Sequence, residues 1–72
     1  MIKIFVADDH ALIREGLKKL LDAELGLQVV GEAKTGQEVM NFFGNQTCDL
    51  LILDISLPDR SGLEILKELQ NL

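Results

Sequence analysis

The chain is poor in the residues that staple or punctuate a small fold, with one cysteine and one proline among 72 residues. A single thiol, Cys48, forms no intramolecular disulfide and has no zinc-ligand spacing around it. It reads as a small apolar filler ahead of a strand. Basic residues are also scarce: seven Lys and Arg against twelve Asp and Glu leave a net charge of −5. Phosphate backbones demand a basic face, so this segment is not expected to bind nucleic acid. No apolar run is long enough to span a bilayer. Ile2 to Ala7 is too short for the core of a signal peptide, and Asp8-Asp9 ends it. No membrane partner is expected, and a soluble, cytoplasmic protein is. A composition of 47% hydrophobic and 26% charged residues argues against disorder and collagen-like structure. At this length there is one small domain at most, burying only about 60% of its unfolded surface.

What the chain does contain is organised around Cys48 to Pro58. Leu50 to Leu53 is an unbroken apolar run ending in the carboxylate of Asp54. Such a run suits a strand buried on both faces, as in a parallel sheet covered by helices. Asp54 then sits at the strand's carboxyl end, where open α/β sheets place their ligand crevice. Pro58 cannot continue a ladder, so a loop follows.

Upstream, Ile2 to Ala7 is β-branched and aromatic and predicts a first strand, also ending in carboxylates. From Ala11 to Ala23 the period is helical. Leu12, Ile13, Leu17, Leu20 and Leu21 form the apolar stripe, with Arg14, Glu15, Lys18, Lys19 and Asp22 opposite. Asp9 or His10 lies at the helix start, and Gly26 is the expected stop. Gln28 to Ala33 predicts a second strand, with Gly31 where backbone approaches closely. Thr35-Gly36-Gln37-Glu38 and Ser61-Gly62-Leu63-Glu64 both have capping-box spacing and open helices. Val39, Met40, Phe42 and Phe43 form the apolar face of the second helix. Leu63, Leu66 and Leu69, with Ile65, supply that of the third. The expected order is βαβαβα with right-handed crossovers: an α/β fold with a parallel sheet and helices on both faces.

If the strands ending in Asp8-Asp9 and Asp54 are neighbours, three carboxylates meet at one crevice. Together they repel and need a compensating charge. Mg²⁺ takes oxygen ligands, one or two carboxylates and phosphate oxygens among them, and so suits such a site. A carboxylate beside Mg²⁺ is also a nucleophile for phosphoryl transfer. Any one of these Asp residues alone is more often a strand terminus or a helix cap. The conjunction carries the metal reading.

These residues carry a resemblance. Asp8-Asp9 after the first strand, then Asp54, Leu57, Pro58 and Gly62, resemble the receiver domain of two-component response regulators. Asp8-Asp9-His10 with Arg14, Gly16 and Leu17, plus Gly62-Leu63-Glu64, look most like the NarL/FixJ type. The resemblance implies that Asp54 accepts a phosphoryl group from a histidine kinase. Asp9 and Asp54 would bind Mg²⁺ directly, Asp8 mainly through water, and the Ser56 carbonyl would complete the protein ligands. Pro58 and Gly62 would shape the loop beneath the site. His10 reads as a helix-start residue rather than a ligand, because a hard cation prefers oxygen. The family is a signalling domain rather than an enzyme. Its fold is flavodoxin-like, which puts these three strands in the order 2-1-3.

The resemblance implies that residues 1–72 correspond to the first half of a receiver, and strands four and five and any DNA-binding output domain are expected to be absent from this segment. Phosphorylation of this segment is therefore expected to be impaired. The alternative is a self-associating half-domain, an assembly or folding module without catalysis. A haloacid-dehalogenase-type phosphohydrolase also uses a strand-end Asp, but it wants a second Asp where Ser56 stands. In the order 2-1-3 the third strand is an unprotected apolar edge. A homodimer through that edge, or through exchanged helices, is expected.

Overall fold

The computed structural model describes residues 1–71. Strand β1 (Ile2–Ala7) is followed by helix α1 (Ala11–Asp22), β2 (Leu27–Ala33), α2 (Gly36–Phe43), β3 (Leu50–Leu53) and α3 (Gly62–Leu69). The three strands form one parallel sheet in the order β2-β1-β3. Fold class, strand order and element order agree with the sequence reading.

The central strand is β1, and there lies the most deeply buried part of the chain. Ile4, Phe5, Val6 and Ala7 are all buried. Side chains alternate along a strand. Phe5 and Ala7 therefore point to one face, where they pack with Ala33, Val39, Leu57 and Ile65 beneath α2 and α3. Ile4 and Val6 point to the other, the side of α1. Gly31 lies in register with Phe5, one residue past a bulge that skips Val30. A Cβ at Gly31 would come within 2.8 Å of the Phe5 ring. That ring stacks on Phe42 at a centroid distance of 4.2 Å, with Phe43 at 5.7 Å. The close approach expected at Gly31 is thus to an aromatic ring.

Strand β3 is not buried on both faces. Leu50 is exposed, and Leu51, Ile52 and Leu53 are only half-buried. Its only partner among the described residues is β1, so one edge stays open.

The inner face of α1 also differs from the expected stripe. Leu12, Ile13 and Leu20 are exposed, while Arg14, Leu17, Lys18 and Leu21 are half-buried. Their spacing of i, i+3, i+4 and i+7 is one helix face. Two cations share that face because Glu32 on β2 receives both of them. In α3 the buried positions are Gly62 and Ile65, with Leu69 half-buried; Leu63 and Leu66 face outward.

The capping predictions hold in part. Thr35 accepts the N–H of Glu38 at 3.1 Å, but the Glu38 carboxylate reaches Lys34 N–H rather than closing a box on Thr35. Ser61 caps Leu63 N–H at 3.2 Å, one residue short of Glu64. Helix α1 ends at Ala23 in right-handed geometry, so Gly26 is not its stop. Gly26 instead turns the chain into β2 with a φ of +87°, and its carbonyl accepts Ile2 N–H at 2.7 Å. That left-handed geometry favours glycine.

Candidate metal centre

Backbone pairing brings the acidic residues together. Ala7 is the last residue of β1, in register with Ala33 of β2 and Leu53 of β3. The next residues continue both ladders: Asp8 N–H bonds Ala33 O at 3.0 Å and Asp54 N–H bonds Ala7 O at 2.9 Å. Asp8 and Asp54 thus leave adjacent strands at one level, and Asp9 follows on the β1–α1 turn. Ligand atoms of Asp8, Asp9, His10 and Asp54 all lie within 4.8 Å of one another.

The imidazole of His10 is part of this cluster. Its Nδ1 lies 2.8 Å from Asp8 Oδ1, 3.2 Å from Asp9 Oδ1 and 3.8 Å from Asp54 Oδ2. His10 is also the N-cap of α1, without a side-chain cap bond. Its expected place at the helix start is correct, but its ring does more than begin a helix. The hydrogen bond to Asp8, then the charges of Asp9 and Asp8, raise its pKa above 6.5. Asp8 is lowered in turn, chiefly by the His10 N–H at 2.8 Å and further by the imidazole and the Arg14 charge.

Around Asp54, the Ser56 N–H donates to Asp54 Oδ1 at 3.0 Å, and Ser56 bridges to Ser61 across the loop. Leu57 turns inward as a core residue, while Pro58 is exposed. Gly62 is buried, and its N–H donates to Ile55 O at 2.7 Å. A Cβ there would stand 2.5 Å from the Asp54 carbonyl oxygen, which is backbone and cannot swing aside. Asp59 anchors the same loop to α2, its carboxylate accepting Gly36 N–H at 2.7 Å and Gln37 N–H at 3.0 Å.

Sequence reasoning found the three carboxylates but not His10's place among them, the Asp59 cap or the hydrogen bond from Arg14 to the Asp8 carbonyl. Apart from the Asx-type spacing of Asp8 and His10, these contacts join residues on different elements and leave no local pattern. A cavity of about 500 Å³ between Phe43, Cys48, Leu51 and Leu69 lies at the opposite end of β3 from Asp54. Cys48 donates its thiol to Leu50 O at 3.4 Å, and burial pushes its pKa up, as suits an inert filler.

The donor set fits Mg²⁺: three carboxylates supply hard oxygens at one point, and only His10 offers nitrogen. Three comparisons bear on this geometry. The DNA-binding transcriptional activator DevR/DosR of Mycobacterium tuberculosis is 42% identical over 69 residues, 96% of this chain and 32% of that protein. The response regulator domain of Thermotoga maritima CheB superposes with a TM-score of 0.93 at 34% identity, over 99% of this chain and 53% of that one. A complex of the histidine kinase ThkA with the response regulator TrrA matches with a TM-score of 0.86 at 39% identity, over 99% of this chain and 60% of that one. The chain spans about a third of the length of the curated relatives it matches. No helix among the described residues is long and apolar enough to cross a membrane. Residues 4–72 match the family described as the response regulator receiver domain, and the chain belongs to that family of two-component signalling domains.

Proposed function

We propose that Asp54 is the phosphoacceptor of this receiver and takes its phosphoryl group from a histidine kinase. The observation that carries the reading is the convergence of Asp8, Asp9 and Asp54 at the carboxyl ends of β1 and β3. Asp9 and Asp54 would hold Mg²⁺ directly, with the Ser56 carbonyl, and Asp8 through water. Bound there, the ion neutralises carboxylate charge and the charge spread over the transferring phosphoryl oxygens. The Ser56 N–H orients Asp54 by holding Oδ1. A carboxylate oxygen of Asp54 attacks phosphorus as the N–P bond of the kinase phosphohistidine breaks, and the imidazole leaves with the bonding pair. Gly62 keeps the loop close against the Asp54 backbone, and Pro58 would shape the same loop beyond the end of β3. The kinase partner is supported by the ThkA–TrrA complex, and a cytoplasmic setting is part of the same proposal.

The test is incubation of the chain with a small acyl phosphate and Mg²⁺, followed by intact mass measurement and peptide mapping. A slow, substoichiometric phosphoryl adduct on Asp54, lost in Asp54→Asn and dependent on Mg²⁺, is expected. A metal-independent adduct at another residue would refute the reading. Mg²⁺ alone should raise Tm, and Asp9→Asn should diminish that rise, because a ligand bound only by the native state stabilises it.

A second reading, self-association, rests on a separate observation. Leu50, Ile55, Leu63 and Leu66 are each about half exposed beside the open edge of β3. Such a surface fits a second copy of the chain.

A further inference from the structure

Arg14 is the one cation of α1 that reaches the β1–α1 turn. It sits in the first turn of the helix, where side chains lean back toward the N-terminus. Its Nη1 donates to the Asp8 carbonyl at 2.8 Å, and its Nε donates to Glu32 Oε1 at 2.8 Å. The other Glu32 oxygen, Oε2, is paired with Lys18. Only 15% of the Arg14 side chain is exposed. The Asp8 N–H is already bonded to Ala33 O. Both backbone polar groups of Asp8 are therefore tied to the end of β2, one directly and one through the guanidinium.

We propose that Arg14 is a positioning residue of the acidic site: its fork, braced on Glu32, fixes the backbone of Asp8 and so the turn that carries two of the three carboxylates. The proposal rests on the metal reading above. A rigid planar fork can serve two acceptors in fixed directions, whereas a lysine ammonium on its flexible stem cannot hold that geometry. Charge and position make opposite predictions here. As a charge, Arg14 repels a cation, so removing it would tighten Mg²⁺ binding. As a brace, it orients ligands, so removing it weakens binding.

The experiment uses the ¹⁵N-labelled chain, Arg14→Met, Arg14→Lys, and Thr35→Ala as a control destabilised away from the site. Amide hydrogen exchange is read without metal, and amide shifts then follow a Mg²⁺ titration below the Tm of every variant. In Arg14→Met, exchange at Asp8 and His10 should quicken while the Ile4 and Val6 amides stay protected. Mg²⁺ affinity should fall about ten- to a hundredfold, the usual scale for groups that orient ligands. Arg14→Lys should also bind weakly although its charge is kept, and Thr35→Ala should lose Tm but not affinity. If Arg14→Met does not fold, Arg14→Lys decides alone. Equal or tighter binding by Arg14→Met, or wild-type binding by Arg14→Lys, overturns the proposal while leaving the metal site standing. A wild-type chain that binds no Mg²⁺ overturns the metal site, and the role of Arg14 toward it falls too.

Discussion

The Nδ1 of His10 lies within 3.8 Å of carboxylate oxygens of Asp8, Asp9 and Asp54. Its folded pKa is raised above 6.5, chiefly by Asp8. A raised value means a contribution to stability that is complete below about 6.5 and is lost as pH rises through the folded pKa. Asp8 has the opposite sign. Its folded pKa is lowered below 3.8, so its contribution is present above that value and is lost as pH falls through the folded pKa. The His10–Asp8 pair is therefore felt between these limits. A proton NMR titration of the His10 ring without metal should show a midpoint above 6.5, moving toward 6.5 in Asp8→Asn. A wild-type midpoint at or below 6.5 would contradict the geometry. Gly62 gives a second residue-scale test. The Cβ of Gly62→Ala would meet the Asp54 and Ile55 backbone, and overpacking of this kind costs about 1–3 kcal/mol. Urea unfolding should show that loss, and an unchanged midpoint would mean the loop yields freely. Asp8, Asp9 and Asp54 were legible in the sequence because each follows a short apolar run. The ring of His10 and the fork of Arg14 were not, because their partners are set by how the turn and β2 meet.

At the scale of elements, periodicity located all three helices and misplaced the inward faces of two. Counting apolar residues put Leu12 and Leu20 inside α1 and Arg14 and Lys18 outside; the structure has the reverse. The side chains of Arg14 and Lys18 are largely covered while their charged ends reach Glu32, which hydropathy patterning cannot register. In α3 the inward stripe is Gly62, Ile65 and Leu69 rather than a run of leucines. Strand direction was legible because short βαβ connections admit one handedness, whereas the order 2-1-3 was implied by the receiver resemblance. The start of α2 shows what local motifs miss. Thr35 caps Glu38 N–H, as its spacing indicated, but Gly36 and Gln37 N–H are both capped by Asp59, 22 and 23 residues away in sequence. Thr35→Ala should cost about 0.5–2 kcal/mol, the usual range for a cap. Asp59→Ala should also destabilise, and its effect should depend on pH. Hydrogen bonds from Gly36 and Gln37 hold the Asp59 carboxyl below its ordinary 3.8. Its contribution is therefore present above that value and lost as pH falls through the folded pKa. Wild type and Asp59→Ala should converge in Tm at low pH and diverge toward neutrality. A difference that persists unchanged into acid would mean the carboxylate is not the cap.

For the molecule as a whole, the sheet has one buried centre, β1, and two edge strands among the described residues, β2 and β3. β1 is enclosed by β2, β3 and helices on both faces, whereas β3 meets only β1 among the described residues. The open side of β3 has no strand partner among the described residues. Beside it lies a hollow of about 270 Å³ lined by Leu51, Leu53, Ile55, Gly62, Leu63 and Leu66. A strand edge next to apolar side chains templates pairing with another chain. A chain this small has little stability in reserve, so burying that surface should matter. A two-fold pair covers the same patch on both copies. The net charge of −5 opposes association, but it is screened beyond about 8 Å at physiological ionic strength. Sedimentation velocity across a dilution series should therefore show a dimer whose dissociation shifts to lower concentration as salt rises. Leu63 and Leu66 are both outward-facing, so Leu63→Glu with Leu66→Glu should abolish the dimer while leaving the circular dichroism of the monomer intact. A wild-type chain that sediments as a folded monomer at every concentration and salt would remove the edge of β3 as a self-association surface, and would leave the acidic centre at the carboxyl end of that strand untouched.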